Sequence, residues 1–314
     1  MEKLYAWFRT PQHLMGASIL RIAFGILILY TYIVNYPFRH YFWGNDGLID
    51  NAAYAEMNRV FFSVYGLFES PAMFELTYHS GMLIAFLFTI GFGGKSIQIL
   101  NYLFTFSLIN RNGFISDGGD NLMYVCLLYL LFMDVTVHFS VKRKKPAPAW
   151  KEKARDSFAI IHNFGFIFVI AQLCLMYFMS GLYQVMGERW HSGTAIYYVM
   201  QVEQYSTQLL PGFLLDNVEF LIFATYASIL IKLAFPFALF NRYTKYIVIF
   251  GIVSFHVGIL LQMGLVTFSL IMIAVDFLLI SNAEYRWAYG KSVQFMEKLK
   301  LAIKTKPATE RTSP

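Results

Sequence analysis

Charge is what this sequence has least of. Asp, Glu, Lys and Arg together make up 14% of its 314 residues, where a soluble domain carries about 25%. Cysteine is nearly absent: Cys126 and Cys174 are the only two, and both sit inside apolar runs. That excludes a disulfide framework and leaves two thiols that behave as small core residues. There is no Gly-rich phosphate loop, no HExxH, no CxxC and no nucleophile elbow, so the common catalytic signatures are missing. His162, His191 and His256 are too scattered to gather round a metal, and none is expected. A chain of acidic residues suited to proton pumping is also absent. The first residues show no short apolar region followed by a small-residue cleavage site, so the first apolar run is expected to stay in the membrane.

What is present is apolar. Hydrophobic residues are 57% of the chain, aromatics 18%, and mean hydropathy is +0.51. These values predict an all-α, polytopic membrane helix bundle with the lipid bilayer as its first partner. The net charge of +6 does not point to nucleic acid, because the basic residues form no stripe on a soluble domain. A span needs about 20 mostly apolar residues. Eight runs qualify: Leu14–Tyr36, Pro71–Phe92, Ser96–Ile109, Asn121–Phe139, Phe158–Gln184, Val218–Phe240, Tyr246–Met263 and Leu265–Ser281. The third is short, and only a turn at Gly264 divides the last two.

Basic residues accumulate on the cytoplasmic side of membrane proteins, which tests that count. With the N-terminus in the cytoplasm, two lie before the first span and one at Lys95. Seven fall between Lys142 and Arg155, two at Arg242 and Lys245, and seven in the tail, so 19 of 25 are inside. Only Arg39, Arg59, Arg111 and Arg189 face outward. The pattern predicts eight spans in the cell membrane with both ends cytoplasmic. Residues 1–284 form the membrane unit, divided by a basic linker at 140–156, and 285–314 form a basic amphipathic tail suited to the inner leaflet. The tail ends in a polar PATERTSP expected to be disordered.

Three loops converge outside: Pro37–Ser70 with an amphipathic stretch at Ala52–Leu67, Asn110–Asp120, and the segment from Tyr177 to Asn217. The last opens with YFMSGLYQVMGERWHSGTAIYY, an apolar helix predicted to stop at Gly181–Gln184, a turn at Met186–Glu188, and a new helix from Ser192–Thr194. Its Trp and Tyr residues favour the membrane boundary, where the ring meets acyl chains and the N–H or O–H meets water. An outer mouth built from Asp120, Asn121, Tyr183, Gln184, Trp190 and His256 is therefore the candidate site. Polar groups inside a bilayer need a partner or a purpose. Arg21 reads as a snorkelling or paired residue, or as a substrate contact; Lys232 is expected to pair with Asp276 or Glu219. His256 reads as a packing residue or a proton relay. Asp120–Asn121 also reads as a helix cap.

Four stretches, LRIAFGILILY, ISDGGDNLMYVCLLYLLF, YFMSGLYQVMGERWHSGTAIYY and SFHVGILLQMGLVTFSLIMI, resemble the HTTM domain in order and spacing, over about residues 14–281. That domain is the membrane part of the vitamin K-dependent γ-carboxylases and of shorter bacterial proteins. The resemblance implies a site around His256, which matches a carboxylase histidine, and Asn121, which falls near an Asn-His pair there. The carboxylase lysine base would stand at Gln184, and glutamine cannot act as that base. The bare domain is closer to the sporulation-delaying-protein B type, multi-pass proteins that mature a secreted antimicrobial peptide. Three expectations follow. The first is assistance in maturation or export of a small secreted peptide precursor, with Arg21, Asp120, Tyr183, Gln184 and Trp190 in substrate contact and no cofactor. The second is a carboxylase or quinone-oxidising enzyme with His256 and Asn121 as catalytic candidates, the one case in which vitamin K or a quinone enters. The third is a non-enzymatic lipid-binding or immunity protein.

Overall fold

Inside a bilayer, backbone N–H and C=O groups must bond to each other, so apolar runs become helices. The computed structural model describes residues 1–57, 62–67, 70–141, 154–207, 209 and 211–305, with side chains 299 and 301–305 outside that description. It is all-α, with no strand among the described residues. The main helices are α1 (Glu2–Phe8), α2 (Leu14–Val34), α3 (Pro71–Ile90), α4 (Gly94–Arg111), α5 (Gly118–Leu130), α6 (Arg155–Met186), α7 (Val218–Ala238), α8 (Arg242–Met263), α9 (Val266–Asp276) and α10 (Asn282–Thr305). Shorter helical turns decorate the loops. Of the expected amphipathic stretch in the first loop, Asn51–Met57 is helical and Val64–Gly66 forms a 3-10 turn. Most of the basic linker and the terminal PATERTSP lie outside the described residues.

Five helices, α2, α3, α6, α7 and α8, are long and apolar enough to cross a membrane. The count is six if α9 with its 3-10 extension and α10, which meet at 102°, form one broken span. The expected fourth span is shorter than its apolar run. α5 has 13 residues, roughly 20 Å at about 1.5 Å per residue, and stops at Leu130.

The reason lies in side chains from other helices. Gln98 donates to Leu130 O, and Lys95 Nζ donates to Met133 O at 2.6 Å. Arg21 Nε donates to Val135 O at 3.0 Å and Nη2 to Phe139 O at 2.5 Å. The Asp134 N–H donates to His162 Nδ1 at 2.9 Å, and Val141 N–H to Ile90 O at 3.0 Å. Supplied with these partners, residues 131–141 leave the helix and remain bonded. Lys95, outside the spans, has its pKa lowered to about 8 by burial, against the pull of Asp134.

α4 faces inward with its polar residues. Gln98, Asn101, Thr105, Ser107 and Arg111 are buried while Ile99, Leu100 and Leu103 are exposed, the reverse of a soluble helix. α9 sits at the centre, packed against α2, α5 and α8, with Ile271, Met272, Ala274 and Val275 all buried. Close helix pairs use glycine. A Cβ at Gly181 of α6 would come within 2.9 Å of Leu233 of α7. The expected turn at Gly264 is there, with φ +66 ending α8, a left-handed conformation that glycine adopts freely.

Candidate functional site

Gln172, Leu175, Met176, Met179, Ser180 and Tyr183 recur on α6 at intervals of three and four, so they share one face. α6 runs on through Met186, past the stop expected at Gly181–Gln184. The chain then breaks at Gly187 and returns through a short helix, Glu188–His191, followed by a second at Ala195–Met200. Tyr226 of α7 donates its hydroxyl to His191 O at 2.8 Å and holds the return in place. Trp190 is thereby laid beside the α6 face. Together with Gln184 these residues line an open groove of about 680 Å³. Leu175, Met176, Met179 and Trp190 form the apolar half of its wall, and Gln172, Ser180, Tyr183 and Gln184 supply polar points. Methionine is flexible and polarizable, so such a wall adapts to chains of differing shape.

Behind Trp190 lies Lys232. Its Nζ is 5.9 Å from the Trp190 ring centroid and 4.4 Å from that of Phe255. The expected ion pair with Asp276 or Glu219 is not formed. Among the described residues the ammonium has no carboxylate within salt-bridge distance and rests on aromatic faces, whose negative quadrupole attracts a cation. His256 of α8 is 2% exposed, and neither ring nitrogen has a hydrogen-bond partner among the described residues. The rings of Phe255, Phe268 and Tyr177 surround it at 5.5, 5.6 and 6.4 Å. Tyr177 in turn donates its hydroxyl to Asp276 Oδ2 at 3.1 Å. Gln184 Oε1 on α6, Gln262 Oε1 on α8 and Ser269 Oγ on α9 are likewise buried without a partner among the described residues.

A buried polar atom left unpaired costs about 1–3 kcal/mol. Such atoms stand on α6, α8 and α9, and the Lys232 ammonium on α7 is paired by no carboxylate among the described residues, so each could bond a polar group that reached it. Lys232 would attract an anion or a carbonyl oxygen. His256, in its neutral form, would donate from one nitrogen and accept at the other; protonated, it would donate from both.

The remaining expected residues stand elsewhere. Arg21 is fully buried at the far end of the bundle, its donors taken by Phe88 O, Thr89 O, Val135 O and Phe139 O. It reaches neither a carboxylate nor the groove. The cap at α5 belongs to Asp117, which accepts from Gly119 N–H at 2.7 Å and Asp120 N–H at 3.1 Å, while Asp120 accepts from Asp117 N–H at 3.1 Å. This reciprocal pair is a capping box and moves the cap three residues before the expected position. Burial pushes the Asp120 carboxyl up to about 6, with the Asp117 N–H bond pulling the other way. Asn121 is exposed. Phe268 touches both regions: its backbone Cα lies against Gly119 and its ring against His256.

No protein-family model matches the chain, and no curated protein or solved structure matches it. Among the described residues no three His, Cys, Asp or Glu side chains stand together as metal ligands would. Two parts of the site went unread in the sequence: the methionine face of α6, which three-and-four spacing from Gln172 would have revealed, and the Tyr177–Asp276 bond, for which no local signal exists.

Proposed function

We propose that this is a multi-pass protein of the cell membrane, of the HTTM kind closest to the sporulation-delaying-protein B type. It holds a small secreted antimicrobial peptide precursor and assists its maturation or export. The observation that carries this reading is the α6 groove of about 680 Å³ with Trp190 at its edge. An open groove with Leu175, Met176 and Met179 on its wall suits an apolar peptide segment of variable sequence, and Tyr183, Gln184 and Trp190 offer it polar contacts. Eight spans with both ends cytoplasmic fit this reading. The bonded segment 131–141 extends α5 toward the end where Ile90 lies, and irregular backbone is tolerated at membrane depth when buried in protein. The tail helix carries exposed Trp287, Tyr289 and Phe295 among its lysines, as a helix lying on the inner leaflet does.

A second reading is favoured by one further observation, the carboxylate-free Lys232 beside His256. In a membrane enzyme of carboxylase or quinone-oxidising type, Lys232 would supply the amine that Gln184 cannot. Trp190 and Phe255 would flank a flat ring, with Lys232 and His256 as donors to its oxygens, and a bound quinone would supply the oxidation chemistry.

The test is mass spectrometry of small secreted peptides from cells with the protein, without it, and with Ser180→Trp, which fills the groove. Loss of a mature peptide, or its appearance as an unprocessed form, in the last two is the expected result. A difference of one carbon dioxide selects the enzyme reading. An unchanged profile overturns both and leaves a lipid-binding or immunity protein.

A further inference from the structure

Away from the groove, at the end of α4, a second cavity of about 230 Å³ is lined by Ile49, Tyr54, Met57, Arg111, Gly113 and Phe114, with Asn110 at its edge. Arg111 is fully buried. Its Nη2 donates to Gly44 O at 2.9 Å and to Asn51 Oδ1 at 3.1 Å, and its guanidinium lies 5.0 Å from the Tyr54 ring centroid. Nε and Nη1 have no partner among the described residues. Asp50 is close enough for its charge to be felt, yet its carboxylate accepts from Ala53 N–H at 2.7 Å and forms no ion pair with Arg111. A guanidinium nitrogen is a charged donor to an anion's oxygen, and here Nε and Nη1 are each buried and unused beside a cavity. Asn110 aside, the rest of the wall is apolar and aromatic.

We propose that this cavity is a binding site for an oxyanion, a carboxylate or phosphate, carried on a small apolar body that Ile49, Met57 and Phe114 cover. The site is separate from the groove and does not depend on the peptide reading. Its chemistry is shared by a free amphiphilic anion and by a lipid headgroup.

The experiment uses the full chain purified in neutral detergent, at constant ionic strength. Sodium octanoate and inorganic phosphate are titrated by calorimetry, and phosphatidylglycerol binding is read by native mass spectrometry. Saturable binding of octanoate or phosphate identifies a free anion; retention of phosphatidylglycerol alone identifies a headgroup. Either is expected to weaken at least tenfold in Arg111→Gln. Gly113 lines the cavity and a Cβ there meets nothing within 4 Å, so Gly113→Leu adds bulk at the wall without a clash and is expected to weaken binding equally, even where Arg111→Gln does not fold. Absence of saturable binding by all three probes, or binding unchanged in Gly113→Leu, overturns the proposal.

Discussion

Tyr177 donates its hydroxyl to Asp276 at 3.1 Å, and among the described residues no cation stands within salt-bridge distance of that carboxylate. Both side chains are buried at the centre of the bundle. One phenol is thus the carboxyl group's hydrogen-bond partner. Tyr177→Phe removes it and is expected to lower stability by about 1–3 kcal/mol. Asp276→Asn keeps an acceptor for Tyr177 and removes a group that can carry an uncompensated charge, so stability should stay level or rise. Thermal unfolding in detergent reads both. Equal losses in the two variants would mean that Asp276 has a second partner.

Arg21 binds four carbonyls from two chain segments, the end of α3 and the stretch after α5. A lysine keeps the charge but concentrates its donors at one point and loses the planar fork. Arg21→Lys is expected to cost about 2 kcal/mol and Arg21→Met more, since several carbonyls then lose a charged donor. Neither change touches the groove. A loss of peptide binding in folded Arg21→Lys protein would show that the residue reaches substrate after all.

The helices were legible because a bilayer imposes one rule on every apolar run, and the expected segments coincide with helices to within a few residues at most ends. α5 departs from its apolar run because donors arrive from Lys95, Gln98 and Arg21, residues 20 or more positions away in the chain, which no local pattern encodes. The cap at Asp117 was missed for a nearer reason: Asp120 is equally suited by type, and only the reciprocal bond chooses between them. In the candidate site, Tyr183, Gln184 and Trp190 were legible as a boundary cluster. Lys232 was legible as a problem, a charge in a span, but its answer, two aromatic faces, depends on how α6, α7 and α8 pack.

The corner between α9 and α10 has its own pH dependence. Glu284 accepts from Ser281 N–H at 2.7 Å and from Lys245 at 3.1 Å, while Ser281 Oγ accepts from Glu284 N–H at 3.3 Å. Burial works against ionisation, but these bonds and one from Tyr246 outweigh it and hold the carboxyl at about 2, below the ordinary 4.5. A depressed carboxyl pKa contributes stability that is fully present above the unfolded value and is lost as pH falls toward the folded one. Hydrogen exchange of the first turns of α10 should therefore be slow at pH 6 and accelerate progressively below about 4.5, beyond the intrinsic pH effect. Glu284→Gln should flatten that dependence. Identical profiles in the two proteins would remove the corner's role.

The eight-span topology makes a separate claim. In a Cys126→Ala/Cys174→Ala background, Ser116→Cys and Glu188→Cys should react with a membrane-impermeant maleimide in intact cells, and Pro148→Cys should not. Reaction at position 148 in sealed cells would place the basic linker outside and sink the arrangement, whatever the fate of the groove.

Lys232 and His256 separate binding from chemistry. Lys232→Met keeps much of the aliphatic stem that packs against Phe255 and Trp190 and removes the charge. His256→Phe fills the same ring space, and it abolishes two nitrogens that have no partners among the described residues, so it should be neutral or stabilising in unfolding experiments. If the protein only holds a peptide, both variants should lower the yield of the mature product by at most a few-fold and leave its mass unchanged. If the polar region does chemistry, each should reduce the modified product at least a hundredfold, the scale on which positioned acid–base groups act, with protein levels preserved. A well-expressed His256→Phe variant with full product of unchanged mass would confine the function to the α6 groove, because the imidazole's two unsatisfied nitrogens would then serve neither the fold nor a reaction.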